Sequence, residues 1–409
     1  MPPAPTDSPR PDRGTDPHKL RVLLLTTSYP LHEQSVSGLF VQRLAEALAQ
    51  HVELRILTPA DIHASLPRID EPEVLTFRYA PRARQILAHG AGGIPAALGA
   101  NRANLMLVPP FLLSMLIASW RHAREADVLF ANWSICGIVA GVVGRVRGIP
   151  VVVTLRGEDA NRARKGKLFR SILAVCAHLC QSVVTVSEAM RDALRGTIPA
   201  LGPKLQTIPN GVAPEFLQIA PRNTPRGPLE LLCVASLIPR KSVATLVDAL
   251  ALTEWPHSLT IVGEGTESER LMTLVRSLGL QDRVRFLPFL PPARIVELLA
   301  AADAFVLPSL AEGRPNVVLE AFAAARPVIA CDIDGVRELI GADERGLLYP
   351  PGNAAELAAR LDRLADTDLR TRLGTAARRF ILDEGLTWER AAASYTRLFE
   401  ILTQRRGSS

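Results

Sequence analysis

Short runs of apolar residues alternate with longer amphipathic stretches along most of the chain. The first run, RVLLLTT at residues 21–27, precedes residues 39–49, where apolar side chains recur at helical spacing. The runs at 151–155 and 182–186 are almost wholly apolar, which is typical of strands covered on both faces. This alternation of strands and helices predicts parallel sheets of the doubly wound α/β class.

The same pattern predicts further elements in both halves of the chain. The other predicted strands span residues 52–57, 128–131, 230–235, 259–262, 284–287, 304–307 and 327–330. The other predicted helices span residues 242–252, 267–278, 293–301 and 317–325. Because the carboxyl ends of parallel strands carry the ligand-binding loops, two such sheets facing each other would form one cleft.

A proline-rich, weakly periodic segment interrupts the alternation at residues 211–228 and indicates a linker. We therefore expect a first domain over residues 18–210 and a second over residues 229–380. The first 17 residues are rich in proline and charge and lack the apolar core of a secretory signal, so we expect a disordered tail.

Composition favours a globular protein of the cytoplasm. The 409 residues are 48% hydrophobic and 22% charged, and the five cysteines include no CxxC pair, so we expect reduced, mostly buried thiols. The apolar stretch at 105–120 is shorter than a membrane span and contains Pro109 and Pro110, which favours a buried helix and leaves an interfacial helix open.

The charge of +6 is uneven: residues 1–205 carry +8 and the remainder −2. A basic first half indicates a polyanionic partner, such as lipid headgroups or phosphates, or simply a solvated arginine-rich surface. The stretch RARKGKLFR at 162–170 raises the same alternatives. It would lie against an anionic membrane, bind a phosphorylated acceptor, or form a solvated helix face.

The segment EGRPNVVLE, residues 312–320, follows an apolar run and opens a predicted helix. It places Glu312 in the loop and Glu320 within the helix. With Asn316 as the N-cap, the amides of Val317 and Val318 would be free donors at the positive end of the helix, suited to a diphosphate. By spacing alone, a capped helix with two unrelated surface glutamates is an equal alternative.

This segment and its flanking residues resemble the signature of glycosyltransferase family 4. Seven other segments match that family in its chain order, from about residue 20 to residue 400. They are SGLFV (37–41), VTLRGED (153–159), VSE (186–188), IPNGV (208–212), VASLIPRK (234–241), IVGEG (261–265) and TWER (387–390).

The resemblance implies roles for individual residues. Lys241, with Arg240 beside it, would contact the donor diphosphate and neutralise the leaving group. Glu320 would accept hydrogen bonds from the ribose, and Glu312 would orient the transferred sugar. Arg156 would approach the donor sugar or the leaving phosphate. It replaces the commoner histidine, and since arginine keeps its charge, an electrostatic role fits it better than proton transfer.

The resemblance also implies main-chain contacts to the donor sugar and phosphate. The residues that would make them are Gly313, Asn316, Val317 and Val318. Gly38 would let the backbone of the first domain close over the diphosphate, where a Cβ would obstruct it. The implied fold is GT-B, with two Rossmann-like domains across a cleft and a final helix, about 388–404, returning to the first domain.

The implied reaction transfers a hexosyl-type sugar, with retention of configuration, from a nucleotide-diphosphate sugar that serves as co-substrate. The acceptor would be the hydroxyl of a sugar, a lipid-linked molecule or another compound. The resemblance implies neither a cofactor nor a metal. Such a reaction would serve the synthesis of polysaccharide, glycolipid or a related glycoconjugate. The protein would act in the cytoplasm, with peripheral contact at the inner face of the plasma membrane. Alternatives are a GT-B nucleotide-sugar epimerase and an inactive binding or scaffold protein. Two carboxylates alone would also suit a glycoside hydrolase. The glycines that begin at Gly263 lack the third glycine of a dinucleotide-binding fingerprint, which argues against an NAD-binding protein. We expect no nucleic-acid partner.

Besides Arg156, three positions depart from the family pattern. Ser236 stands where many members carry an arginine, which removes one diphosphate cation unless Arg240 compensates. Ala325 replaces a glycine at a helix end, where a left-handed conformation would cost about 1 kcal/mol. Asp334 replaces one of two glycines in the segment near the donor sugar.

Overall fold

The computed structural model describes residues 19–407, except residues 33, 34, 36, 37, 63–71, 91, 92 and 224. Within these residues the chain forms two parallel α/β sheets, so the predicted fold class is confirmed. The tail predicted to be disordered, 1–17, lies outside the described residues, as does Ser37 of the first glycine loop.

The first sheet has seven parallel strands, counted over the described residues. They are β1 (Arg21–Leu25), β2 (Glu53–Pro59), β3 (Glu73–Phe77), β4 (Val128–Asn132), β5 (Val151–Leu155), β6 (Ser182–Thr185) and β7 (Leu205–Thr207). Their order across the sheet is β3-β2-β1-β4-β5-β6-β7. The direction of winding reverses between β1 and β4, the kind of switch point at which α/β sheets bind ligands.

Helices cover both faces of this sheet. They are α1 (Leu39–Ala49), α2 (Gly93–Ala100), α3 (Val108–His122), α4 (Trp133–Arg147), α5 (Glu158–Lys165), α6 (Lys167–Leu179), α7 (Glu188–Thr197) and the final helix α16 (Trp388–Gly407). The helices α3, α4 and α6 share one core with the sheet, and α1 and α16 pack together on its other face. The Tyr395 ring of α16 lies 4.9 Å from that of Phe130, and its hydroxyl is 2.8 Å from Thr154 Oγ1.

The second sheet has six parallel strands within the described part of the chain. They are β8 (Glu230–Val234), β9 (Ser258–Val262), β10 (Val284–Leu287), β11 (Ala304–Leu307), β12 (Val328–Cys331) and β13 (Gly346–Tyr349). The order β10-β9-β8-β11-β12-β13 again reverses direction beside the first strand. Its helices are α8 (Pro214–Leu217), α9 (Val243–Leu252), α10 (Ser268–Ser277), α11 (Pro292–Ala301), α12 (Asn316–Ala323), α13 (Asp334–Ile340), α14 (Ala354–Arg363) and α15 (Thr367–Asp383).

The chain passes between the two sheets twice, and the two passages touch. The Val212 amide donates to the Leu386 carbonyl at 2.9 Å, and Val212 and Thr387 form an isolated parallel bridge. A Cβ at Gly211 would lie 2.1 Å from the backbone of Thr387, so only glycine fits this crossing. The predicted linker, 211–228, is therefore partly structured, with Phe216 of α8 buried.

One prediction about the apolar stretch at 105–120 is wrong. We expected a buried helix, but α3 buries Phe111, Met115 and Ser119 and exposes Leu113, Ile117 and Trp120. Residues four apart share a face of a helix, and the exposed set lies opposite the buried one. Apolar residues thus occur on all sides of α3, although the sheet covers only one side of this helix.

Candidate active site

The loop after β11 holds the predicted carboxylate Glu312 against a lysine from the loop after β8. Lys241 Nζ lies 2.5 Å from Glu312 Oε1, and the Glu312 side chain is 10% exposed. Burial alone would raise the pKa of Glu312, but the charge and hydrogen bond of Lys241 hold that pKa below its ordinary value. Two predicted residues, 71 positions apart, therefore form one ion pair.

Arg240 points toward the same loop and not away from it. Its Nη1 donates to the Ala311 carbonyl at 3.1 Å, while the Leu310 amide donates to the Arg240 carbonyl at 2.9 Å. Its charge also helps to lower the pKa of Glu312. A cation thus lies near the loop although Ser236 replaces the arginine typical of the family.

The start of α12 differs from the prediction. Pro315 is the N-cap and Asn316 is the first helical residue, so the capping role assigned to Asn316 is wrong. The Asn316 carboxamide oxygen instead accepts from Asn210 Nδ2 at 2.8 Å. The Val318 amide donates to the Pro315 carbonyl at 3.2 Å and is therefore engaged in the first turn, not free as expected. Val317 is half-buried at the helix start.

Glu320 lies one turn further along α12 in a very different environment. Burial raises its pKa to about 7, an effect that the Arg43 guanidinium reduces and the Glu215 carboxylate reinforces. Arg43 itself pairs with Glu215 at 2.6 Å. The two glutamates of one short motif therefore have pKa values shifted in opposite directions.

Arg156 follows β5 in the first domain and is held by two asparagines. Its Nε donates to Asn132 Oδ1 at 3.0 Å, and its Nη1 donates to Asn210 Oδ1 at 2.6 Å. The guanidinium carbon lies 5.0 Å from the ring centre of Phe40. Among the described residues, Arg156 Nη2 and Asn132 Nδ2 are buried donors without a partner, so the N–H groups of these two nitrogens remain for a ligand.

Sequence reasoning quoted Asn210 only as part of a motif and missed Asn132. The signal for Asn132 was its position, a polar residue at the carboxyl end of a buried strand. The next residue, Trp133, has a φ of 67°, which is uncommon for a residue other than glycine, and its ring packs edge-on against Phe40 at 6.2 Å.

Glycines bring the two domains into backbone contact at the site. A Cβ on Gly313 would lie 2.6 Å from the Gly157 Cα, and one on Gly335 would lie 2.3 Å from the Gly313 carbonyl oxygen. The Ser187 hydroxyl donates to that carbonyl at 3.4 Å. Gly38 has a φ of 86°, but a Cβ there would meet the Ser28 carbonyl at 2.5 Å. Glycine at position 38 is thus already required by the first domain itself.

Glu338 of α13 is a second connection that the sequence did not reveal. Its carboxylate accepts from the Ala189 amide at 2.9 Å, at the positive end of α7. The same carboxylate accepts from Arg314 Nη1 at 2.7 Å. Because Arg314 follows Gly313 in the chain, Glu338 connects the loop after β11 to the start of α7 in the first domain.

Asp332 and Asp334 form a D-x-D pair in the sequence, but both face arginines. Arg337 Nε donates to Asp332 at 2.7 Å, and Arg164 Nη1 donates to Asp334 at 2.7 Å. Among the described residues, no three His, Cys, Asp or Glu side chains lie close enough together to hold a metal ion.

Two Rossmann-like sheets whose strand ends face each other across a cleft form the GT-B fold. Solved structures share this fold. Sucrose-phosphate synthase from Thermosynechococcus elongatus is 21% identical with a TM-score of 0.75, and covers 95% of this chain and 100% of its own. Anabaena Alr3699/HepE, solved in complex with UDP-glucose, is 19% identical with a TM-score of 0.71, and covers 93% of this chain and 99% of its own.

The chain belongs to glycosyltransferase family 4. Residues 37–216 match the model of Glycosyltransferase Family 4, and residues 216–380 match that of Glycosyl transferases group 1. Glycogen synthase from Mycobacterium tuberculosis is 30% identical over 299 residues, which cover 71% of this chain and 70% of that protein. Phosphatidyl-myo-inositol mannosyltransferase from Mycobacterium leprae is 28% identical over 88% of this chain and 91% of its own.

Proposed function

We propose that this protein transfers a hexosyl sugar from a nucleotide-diphosphate sugar to an acceptor hydroxyl with retention of configuration and without a metal. The observation that carries the proposal is the Lys241–Glu312 pair beside the start of α12, facing Arg156 across the cleft. Cleavage of a glycosyl–phosphate bond creates a cationic sugar and an anionic diphosphate. Fixed charges of both signs at that position favour this separation.

Cations and main-chain donors would receive the diphosphate. Lys241 and Arg240 come from the second domain, and Arg156 offers its unpartnered Nη2 from the first. Removal of one such donor typically costs about 3 kcal/mol in the transition state. Main-chain groups of the loop and helix start would complete the site on the second domain. They are those of Gly313, Asn316 and Val317.

Each of the two carboxylates would contact a different part of the rest of the donor. Glu320 would accept hydrogen bonds from the ribose hydroxyls. Glu312 would orient the hydroxyls of the transferred sugar. Gly38 would support the loop of the first domain that closes over the diphosphate.

Retention fits the charged groups of this arrangement, because neither Glu312 nor Arg156 is a suitable base. The pKa of Glu312 is lowered by its lysine, which makes the carboxylate a weak base near neutral pH. Arg156 keeps its proton at neutral pH. We therefore infer that the leaving phosphate itself accepts the proton of the acceptor hydroxyl on the same face of the sugar.

The acceptor would bind in the first domain, whose loops line the other side of the cleft. Glycogen and phosphatidyl-inositol, named in the relatives, illustrate a sugar and a lipid-linked acceptor. The basic first domain favours an anionic or lipid-linked acceptor at the inner face of the plasma membrane. Synthesis of cell-surface polysaccharide, glycolipid or a related glycoconjugate would use such a reaction.

Calorimetric titration with UDP, GDP and ADP, each with and without Mg²⁺, tests the donor site. We expect one nucleotide to bind at micromolar concentration to the same extent in both conditions. Glu320→Ala should weaken that binding at least tenfold, whereas Glu269→Ala, an exposed glutamate of the same domain, should not change it. Failure of all three nucleotides to bind would contradict the proposal and favour an inactive scaffold.

The stereochemical part has its own test once the donor is known. The anomeric proton of the new glycosidic bond, observed by NMR during the reaction, should show the same configuration as in the donor. An inverted product would overturn the retaining mechanism while leaving the donor site intact. Epimerised donor in the absence of acceptor would point to the epimerase alternative.

A further inference from the structure

The helix α3, with its flanking 3-10 turns, forms a 24-residue segment, Arg102–Glu125, in which an 18-residue stretch has a mean hydropathy of 1.6. Only one side of it joins the core: the Phe111 ring lies 5.6 Å from Phe77 and 5.0 Å from Tyr79. The opposite side exposes Leu113 to 59% and Ile117 to 43%. A helix that is apolar all round is normally covered all round.

The neighbouring helices extend this apolar side. The Arg147 guanidinium of α4 lies 3.9 Å from the ring centre of Trp120 and donates to its carbonyl at 2.9 Å. At the other side of α4, Arg145 contacts His178 of α6 at 3.2 Å. We call the outer faces of α3, α4 and α6, with the turns around α3, the three-helix surface.

Exposed large hydrophobic residues are concentrated on this surface. Of the seventeen such residues in the described part of the chain, ten lie within residues 105–175. They are Leu105, Met106, Leu113, Ile117, Trp120, Val142, Val146, Leu168, Phe169 and Val175. Single exposed hydrophobic residues are normal on any protein, but eight on three adjacent helices and two in the turn before α3 indicate an interaction surface.

The same helices carry positive charge almost exclusively. Residues 102–125, 133–147 and 167–179 contain one acidic residue, Glu125, which pairs with Arg55 at 2.9 Å. Their basic residues are Arg102, Arg121, Arg124, Arg145, Arg147, Lys167 and Arg170. Apolar side chains among lysines and arginines match the boundary between the acyl chains and anionic headgroups of a bilayer.

A membrane-spanning helix and a dimer interface both fit this surface less well. If α3 crossed the membrane, Phe111 and Met115 would leave the core and expose the sheet beneath them. If a second copy covered the surface, two arginine-rich faces of equal charge would meet. We propose that the three-helix surface docks this protein on an anionic lipid bilayer without crossing it.

This surface would bring the acceptor side of the cleft toward the lipid. The helices α4 and α6 run back from the carboxyl ends of β4 and β5, where Asn132 and Arg156 lie. Leu168 and Phe169 are at the start of α6, and the Arg162 guanidinium of α5 lies 5.3 Å from the Phe169 ring. The basic stretch 162–170 thus contributes the end of the surface nearest the cleft.

Flotation of the full-length chain with vesicles tests the proposal. We expect binding to phosphatidylcholine vesicles that contain about 30% phosphatidylglycerol, little binding to phosphatidylcholine alone, and release in about 0.5 M NaCl. Leu113→Glu should weaken binding at least tenfold. Leu382→Glu is the matched control, because Leu382 is 58% exposed on α15 of the second domain and should leave binding unchanged.

Two results would overturn the proposal. They are equal binding by wild type and Leu113→Glu, or a concentration-dependent dimer in sedimentation velocity that Leu113→Glu dissociates. Val146→Glu, at a 69% exposed position of α4, repeats the test should the first variant fold poorly. Nucleotide titration of the same variants keeps the two proposals apart, since neither substitution touches the donor site.

Discussion

The two domains share a strand order but distribute their reactive groups differently. In the second domain the candidate groups come from two short loops, after β8 and after β11, and Lys241 meets Glu312 there. In the first domain they come from β4, β5 and the interdomain passage, and Arg156 is assembled with Asn132 and Asn210 only on folding. Both sets are therefore assembled by tertiary contacts, but Lys241 and Glu312 lie in motifs that the sequence revealed, whereas Asn132 does not.

The outer surfaces differ in the same way. Exposed hydrophobic residues of the second domain, such as Leu252, Met272 and Leu278, are separated along the chain on different helices or helix ends. Those of the first domain lie together on α3, α4 and α6. The common topology thus carries the Lys241–Glu312 pair in one domain and an apolar, basic face in the other.

Substitution of the second-domain cation should give the largest effect. Lys241→Ala removes the partner of Glu312 and the main charge near the leaving diphosphate, so we expect kcat/KM to fall about 10²- to 10³-fold. Arg240→Ala, next to it in the chain, should cost about tenfold, since its guanidinium donates to the Ala311 carbonyl and its charge acts on Glu312 more weakly than that of Lys241. Steady-state kinetics measures both. A loss below fivefold in Lys241→Ala would show that the pair is structural.

The contact between domains should come next. Gly313→Ala would place a methyl group 2.6 Å from the Gly157 Cα and hold the cleft open. Because the donor amides are kept, we expect kcat to fall about tenfold or more while nucleotide affinity changes little. Gly196→Ala is the control, since a Cβ there meets no atom within 4 Å. Equal kcat in both variants would exclude this contact from the closed state.

Sequence patterns predicted much of this structure, but not evenly. Thirteen strands lie in two parallel sheets over the described residues, and the predicted strand at 151–155 has its predicted bounds. The strands β3, β7 and β13 were not predicted, and each has at most five residues and lies at a sheet edge. The left-handed conformation considered for Ala325 is present, with a φ of 55°.

Tertiary contacts determine the features that the sequence patterns did not predict. Asn316 resembled an N-cap, yet its side chain pairs with Asn210 from 106 residues away and leaves the cap to Pro315. Exposure of α3 depended on how much of it the sheet could cover, which hydropathy does not encode. Glu338 bridges α13 to the amino end of α7, and no local pattern links those two helices.

The first-domain cation should give a smaller loss than Lys241. A lysine at position 156 keeps the charge but cannot hold both Asn132 and Asn210 while keeping a planar donor for the ligand. We therefore expect Arg156→Lys to lower kcat/KM about tenfold. Arg195→Lys, at an exposed position of α7, serves as the control in the same assay. Full activity of Arg156→Lys would mean that charge alone is needed there.

The smallest effect concerns Glu320 and pH. Its pKa in the free protein is about 7, against an ordinary value of 4.5, because burial disfavours the charged form. The unfolded chain therefore loses this proton first, and the contribution of Glu320 to stability falls as pH rises from about 4.5 to 7. Hydrogen bonds from ribose hydroxyls favour the ionised carboxylate, which gives nucleotide affinity the opposite trend.

We accordingly expect nucleotide affinity to rise by up to about tenfold between pH 6 and pH 8 through this one group. Titration calorimetry on wild type and Glu320→Gln isolates the contribution of Glu320 to the pH dependence of affinity. The nucleotide phosphates ionise in the same way in both experiments, so their contribution cancels in the comparison. The Glu320→Gln variant should bind the nucleotide more weakly than wild type at pH 8, and its affinity should depend less on pH. Parallel curves for the two proteins would mean that the ribose does not reach Glu320, and that the second domain binds the donor through the Lys241 loop and the helix start alone.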